Sequence, residues 1–288
     1  MISVIIPLFN KESSISKTLK SVFNQTFEKF EVIVVNDGST DRSLDIVQDF
    51  IDDRLRIIDK KNGGVSSARN RGILEAKYKY LAFLDADDLW MNNHLEVMNY
   101  MIEKYKEKNV KVFGTSFSKN KTQTIDLEKT ESFIENDFLI ENYFIYASKP
   151  QSLFNSSSFA VEKRFAISKG MFDEGLRYME DVEFWHRLLK KSNLAYNKTV
   201  TAIYNIAAEN RSNNNILPLQ YRFHIFDYKN SNKFEKRYYD KLVSLVLLDY
   251  FLLKAYKITF LVSLMYWNRL PFILSYYKKM FFKRFFKK

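Results

Sequence analysis

The sequence predicts an α/β fold: a mainly parallel sheet flanked by helices, followed by a helical C-terminal extension. Three observations carry this. Short apolar runs alternate with amphipathic segments over the first 108 residues. The apolar runs give way to Asn-, Asp-, Gly- and Ser-containing loops, as strands feeding a parallel sheet do. From Pro218 onward the pattern is helical.

Ile2–Leu8 reads as a continuous apolar strand. Ser13 or Ser14 can cap a helix whose Ile15, Leu19, Val22 and Phe23 share one face. Glu31–Val35 is a second buried strand, ending in Asn36-Asp37-Gly38-Ser39. Asp41–Ile51 is helical, with Leu44, Val47 and Ile51 in phase. Arg54–Ile58 is a short strand before Asn62-Gly63-Gly64, and Val65–Lys77 is helical. Tyr80–Leu84 is the fourth strand, running into Asp85-Ala86-Asp87-Asp88. Asn93–Lys108 is a helix with Leu95, Met98, Ile102 and Tyr105 inward. After Val110–Phe117 the pattern loosens: 118–175 mixes polar loops with short helices, Glu180–Lys191 is helical, and Leu194–Ile206 reads as strand.

The 288 residues are 46% hydrophobic and 16% aromatic, enough for a sizeable core. No cysteine is present, which excludes disulfides and thiolate metal sites and fits a reducing compartment. The N-terminus MISVIIPLFNKE has no basic stretch or cleavage site and reads as strand rather than signal peptide. Net charge is +11, concentrated in the last eleven residues, KKMFFKRFFKK, with six cations and no acid. Their interleaving with Phe pairs, after a long apolar region, favours an anionic membrane over nucleic acid.

Ligands of open α/β sheets bind outside the carboxyl ends of the strands, and here those ends carry Asn10, Asp37 and the 85–88 carboxylates. Asp85 and Asp87, two apart, share a side of an extended chain, and paired carboxylates suit a hard divalent cation. The alternative is an Asp-rich turn capping the next helix. No G-x-G-x-x-G follows the first strand and no P-loop occurs, which argues against dehydrogenases and P-loop kinases. Glu180-Asp181 opens a helix, where the dipole favours an ionised Asp181 and the neighbouring Glu180 opposes it. Taken alone, the pair also fits simple N-terminal capping.

Together, Pro7-Leu8-Phe9-Asn10, Val35-Asn36-Asp37-Gly38-Ser39-Thr40-Asp41, Asn62-Gly63-Gly64-Val65-Ser66-Ser67-Ala68-Arg69-Asn70-Arg71-Gly72, Leu84-Asp85-Ala86-Asp87-Asp88, Gly170-Met171-Phe172-Asp173-Glu174 and Glu180-Asp181 resemble family-2 inverting glycosyltransferases of the GT-A fold. The resemblance covers roughly residues 1–210. It implies a GT-A domain over 1–215, with a nucleotide-binding half at 1–117 and an acceptor half at 118–215; composition adds a helical, basic-aromatic, membrane-associating region at 216–288. It implies that Asp37 hydrogen-bonds uracil, that Pro7 and Phe9 form a shelf for the base, and that Asn62 and Arg69 contact the nucleoside. Asp85 becomes the ribose- or metal-side member of the D-x-D motif. Asp87 becomes a metal ligand for Mn²⁺ or Mg²⁺, with Asp88 able to share that duty, and Asp181 becomes the catalytic base. Many relatives carry a His after the last core strand; here that region reads Glu209-Asn210-Arg211-Ser212, which leaves Arg211 as a candidate diphosphate contact. His186, on an amphipathic helix, is read as structural.

The implied activity is metal-dependent, inverting transfer of a hexosyl or N-acetylhexosaminyl group from a UDP-sugar. The acceptor is a saccharide or a lipid-linked glycan in bacterial surface polysaccharide synthesis. The implied location is cytoplasmic, peripheral on the inner face of the cell membrane. The longest uncharged C-terminal stretch, Ile258–Asn268, is shorter than the roughly 20 residues of a spanning helix. An interfacial segment therefore fits, with a packed helical subdomain as the alternative. Two other functions remain: a sugar-phosphate nucleotidyltransferase, disfavoured by the lack of Gly after the first strand, and a non-catalytic sugar-nucleotide-binding module.

Overall fold

A computed structural model of the chain describes residues 1–120, 132–149, 152–206 and 227–285. The order is β1 (Ile2–Leu8), α1 (Ile15–Phe23), β2 (Phe30–Asn36), α2 (Ser43–Gln48), β3 (Leu55–Asp59), α3 (Val65–Glu75), β4 (Tyr80–Phe83), β5 (Leu89–Trp90) and α4 (His94–Tyr105). Then come β6 (Val112–Asn120), β7 (Asp137–Ile140), α5 (Tyr143–Ala147), β8 (Phe159–Glu162), α6 (Lys163–Ser168), α7 (Glu180–Leu189) and β9 (Leu194–Asn205). The chain ends in α8 (Lys233–Leu252), α9 (Tyr256–Met265) and α10 (Leu270–Phe285).

One sheet runs β3-β2-β1-β4-β8-β6-β9-β5, with β7 also paired to β9. The α/β class with flanking helices is as expected, and β3-β2-β1-β4 is parallel. Beyond β4 the sheet is mixed rather than mainly parallel. β8 lies antiparallel between β4 and β6, β6 and β9 are parallel, and β5 and β7 run antiparallel to β9. Both β7 and β8 fall in the stretch read as loops and short helices. Each is four residues long, too short for a period to register.

Burial explains the first strands. All seven residues of β1 and of β2 are buried, so their sequences are mostly apolar rather than alternating, and the buried polar exceptions are paired: Ser3 donates to the Glu31 carboxylate and Asn36 to Asp59. Pro7 is tolerated there because β1 pairs with β4 only from Ile2 to Ile5. Ile5 and Pro7 turn their backbone groups to the same side, so the missing N–H falls past the end of that ladder. Gly72 lets α3 approach β1: a Cβ there would stand 2.5 Å from Ile5 Cγ2.

The chain divides into two compact units, Met1–Tyr143 with Leu153–Asn214, and Phe144–Ser152 with Asn215–Lys288. In the second, Asn232 caps α8 by accepting from the Phe234 and Glu235 N–H groups, and Glu235 answers with a bond from the Asn232 N–H. The buried Lys241 ammonium donates to the Ala147 and Lys149 carbonyls. Arg269 forks onto the fully buried Asp240. Residues 218–226, read as the start of this helical region, lie outside the described residues. Among the described residues, no single helix is long and apolar enough to cross a membrane. The pair Tyr256–Met265 and Trp267–Tyr276 passes that test together but is bent by 80°.

Candidate functional site

Parallel pairing brings the carboxyl ends of β1, β2 and β4 to one edge, and the loops there are tied to each other. Asn10, at a left-handed φ of 50°, accepts from the Thr40 N–H through Oδ1, while its own N–H donates to Ser39 Oγ. Lys11 N–H donates to Ser43 Oγ, and Glu12 N–H to Asp41. Much of the Asn-Asp-Gly-Ser-Thr-Asp run is therefore spent on loop architecture. Asp37 is buried and accepts from Lys60 Nζ at 2.6 Å and from the Gly63 and Gly64 N–H groups at 3.0 and 2.7 Å. Asn62 donates to the Asp37 carbonyl. Gly38 and Gly64, at φ of 73° and 90°, make this loop-on-loop contact possible. Phe9 is 45% exposed at the end of β1, an open ring suited to stacking, whereas Pro7 is buried in the strand.

The three carboxylates after β4 sit in a turn, not in extended chain: Asp88 N–H donates back to the Asp85 carbonyl at 3.0 Å. The expectation that Asp85 and Asp87 share one side rested on extended geometry, and each instead takes its own partner. Asp85 accepts from Arg69 Nη2 at 2.7 Å. Asp87 pairs with Lys11 Nζ at 2.6 Å. Asp88 is fully buried and accepts from the Ser157 hydroxyl at 2.5 Å and the Asn205 N–H at 2.9 Å. Ser157 also accepts the Asp85 N–H and so locks the turn. Burial, opposed by Lys11 and aided by Asp85, raises the Asp87 pKa. Burial, then Asp85 and Asp87, raises that of Asp88 well above the ordinary carboxylate value.

Arg69 projects from α3 and is only 3% exposed. It joins Asp85 on one side to Glu180 Oε1, at 2.9 Å, on the other, with Phe172 5.1 Å away under the guanidinium. Burial opposes its charge, but the carboxylates of Asp85, Glu180 and Asp181 outweigh that and raise its pKa. The neighbouring Asn70 holds the Phe172 backbone by both N–H and carbonyl and also donates to Glu174. The Gly170–Glu174 stretch is thus pinned to α3. α7 begins after Met179, which holds a left-handed φ of 58°. Non-glycine residues rarely adopt that conformation, and it recurs where a site fixes the chain. Asp181, in the first turn, accepts from Ser156 Oγ at 3.1 Å and from the Val182 N–H at 2.6 Å. Burial and then the Glu180 carboxylate push its pKa up to about 7, against the opposing pull of Arg69, Val182 and Ser156. The helix dipole does not keep it at an ordinary value.

The edge thus gathers Phe9, Asp37 and Asn62 around one loop pair, and Arg69, Asp85 and Glu180 in one chain of ion pairs. Asp181 lies at the end of that chain, within electrostatic reach of Arg69. Asp87 and Asp88, left together by the sequence, are separated: Asp88 has both oxygens engaged inside the protein, while Asp85 and Asp87 keep 28% and 15% side-chain exposure. Among the described residues no group of three or more His, Cys, Asp or Glu is placed to hold a metal alone. Two partly open carboxylates do fit Mg²⁺ or Mn²⁺ that completes its shell with phosphate oxygens and water. Arg211 lies outside the described residues. Lys11, Lys60, Ser156 and Ser157 were not singled out from sequence. Lys11 follows the first strand directly and shares its edge, a usable signal. The serines lie in the loosely patterned region and carried none.

The profile of a family described as Glycosyl transferase family 2 matches residues 3–176. An uncharacterised glycosyltransferase of Rickettsia typhi is 29% identical over 201 residues, covering 69% of this chain and 62% of its own length. The minor teichoic acid biosynthesis protein GgaB of Bacillus subtilis is 29% identical over 195 residues, 66% of this chain and 21% of its own. This chain therefore spans less than two thirds of either relative. Among solved structures, S. aureus TarS 1–349 in complex with UDP-GlcNAc matches with a TM-score of 0.63 at 18% identity, covering 86% of this chain and 66% of that one. The likeness is one of fold.

Proposed function

The chain belongs to glycosyl transferase family 2, and from that premise we propose that it moves a sugar, with inversion, from a UDP-sugar to a saccharide or lipid-linked glycan acceptor. The observation that carries this reading is the Asp85–Arg69–Glu180 ion-pair chain, which ties the carboxylate turn after β4 to the helix that bears Asp181. A donor's leaving group and an acceptor's base must stand on opposite sides of one anomeric carbon, and a rigid, buried link fixes their separation. The UDP-GlcNAc bound by TarS and the teichoic acid pathway in GgaB's name support a UDP-sugar and a surface-polymer acceptor.

In the proposed reaction Phe9 stacks the base, Asp37 with Asn62 and the glycine loop holds it, and Asp85 and Asp87 would hold Mg²⁺ or Mn²⁺. When bound, that ion supplies a Lewis acid for charge developing on the diphosphate. The acceptor oxygen forms its bond to the anomeric carbon as the bond to the diphosphate oxygen breaks. The hydroxyl proton passes to Asp181 and UDP leaves. Arg69, expected to contact the nucleoside, has its guanidinium on Asp85 and Glu180. Buried between two carboxylates, it orients Asp85 and Glu180. The basic, aromatic C-terminal region supports work at the inner face of the cell membrane, where a lipid-linked acceptor is met.

The test is UDP release from a panel of UDP-sugars with and without Mn²⁺, beside UDP binding. Asp87→Ala is expected to lose the Mn²⁺-dependent part of UDP affinity and keep the fold. Equal affinity in both proteins would remove Asp87 from the ion's site. Binding of UDP-sugars without turnover under any condition would favour a non-catalytic module instead.

A further inference from the structure

We propose that α9 and the turn entering α10 form an apolar elbow that inserts into the headgroup layer of an anionic bilayer. This deepens the membrane reading above and rests on it. Along α9 only Val262 is buried among the ten residues. Phe260, Met265 and Trp267 are 63%, 66% and 65% exposed, with Leu261 and Leu264 about half exposed beside them. A surface this apolar marks an interaction site rather than ordinary solvent-facing helix.

Charge selects the occupant. From Tyr250 to the C-terminus the sequence carries nine cations (Lys254, Lys257 and Arg269 plus the six of the last eleven residues) and no carboxylate. Lys254 and Lys257 are exposed at the start of the elbow. A second copy docking by the same face would bring like charges together, whereas anionic lipid complements them. Tyr and Trp at the rim suit a boundary with one wet side.

Geometry selects insertion over crossing. The bend of 80° is fixed within the subdomain: Arg269, at the corner, is held by Asp240 of α8, and Ser244 Oγ donates to the Ile273 carbonyl at 2.6 Å. Each arm has ten residues, about 15 Å of helix, against a hydrocarbon core of about 30 Å. A held corner with apolar flanks lies in the interface.

The chain has its own reporter. Of three tryptophans, Trp90 and Trp185 are buried and Trp267 is exposed, so a change in tryptophan emission on adding lipid reads the elbow. Full-length protein is titrated with vesicles of phosphatidylglycerol and phosphatidylcholine, and of phosphatidylcholine alone, following emission and co-sedimentation. The expected result is a blue shift with the anionic vesicles, and a loss of affinity of about tenfold or more in Phe260→Glu/Met265→Glu. Both positions are solvent-exposed, so this variant should fold, which unchanged UDP-sugar hydrolysis checks. Vesicle binding with no emission change and no effect of the double substitution overturns the elbow while leaving a tail-only membrane contact. A blue shift that follows protein concentration without lipid overturns it in favour of self-association. Loss of hydrolysis in the unmutated chain would instead count against the transferase reading.

Discussion

Asp181 is an acid whose surroundings hold it near neutrality, and that sets how it can serve as a base. A base must be ionised to take a proton, so the ionised form predominates above its raised value of about 7 and is lost as pH falls below it. Turnover should therefore drop roughly tenfold per unit on the acid side. Glu180 is the charge that pushes Asp181 upward after burial, so Glu180→Gln should move that acid limb to lower pH while UDP affinity stays put. An unmoved limb in a pH–rate series would mean that Asp181 does not govern it. Asp181→Asn keeps the shape but cannot accept a proton, and transfer should fall by about 10²–10⁴-fold with UDP binding retained. Asp37→Ala belongs to the donor side. It removes a buried acceptor and leaves Lys60 and the Gly63 and Gly64 N–H groups unmatched, so calorimetry should find UDP affinity weaker by roughly 1.5–3 kcal/mol with the metal requirement unchanged. Asp37 and the 85–88 aspartates stood out in the sequence because acids seldom follow a buried strand without a task, whereas Glu180 and Asp181 stood out as a carboxylate pair opening a helix. The pairings of the 85–88 aspartates did not, since Lys11, Arg69 and Ser157 converge on them only in the tertiary fold.

At the scale of elements, α3 shows packing overruling propensity. Its interior Gly72 should cost about 1 kcal/mol relative to Ala on an isolated helix. Here the methyl group of Gly72→Ala would meet Ile5, fully buried in β1, at 2.5 Å from Cγ2. Overpacking of this kind costs about 1–3 kcal/mol, so thermal unfolding should show Gly72→Ala as less stable than the parent. A rise in Tm would mean that α3 yields and the contact is soft. β1 and β2 could be read from sequence because burial on both faces leaves mostly apolar runs, as in Ile2–Leu8, while the half-buried β3 is marked by Ile57 and Ile58 and by its place between two helical patterns. β7 and β8 could not, since Phe159–Glu162 has four residues and its antiparallel place between β4 and β6 is decided by distant partners. The extended geometry expected of Asp85 and Asp87 gave way to a turn for a related reason. The period-two argument holds within a strand, and β4 stops at Phe83, two residues before Asp85.

At the scale of the whole molecule, the charge of +11 is placed rather than spread, and its placement predicts a division of labour. The nucleotide motifs end by Asp181, and the last eleven residues hold six cations and no acid. Deleting residues 278–288 should therefore leave UDP-sugar hydrolysis near the parent rate. The same deletion should weaken binding to anionic vesicles, because basic residues near such a surface contribute roughly 1 kcal/mol each. That contribution is screened over about 10 Å at 0.1 M salt. In co-sedimentation at two salt concentrations, the full chain should release from vesicles as salt rises. The truncated chain should bind less at low salt and respond less to more of it, because of the cations beyond Tyr250 only Lys254, Lys257 and Arg269 remain to be screened, beside an apolar contact that is insensitive to salt. Equal salt responses from both proteins would show that the tail's charges do not meet lipid.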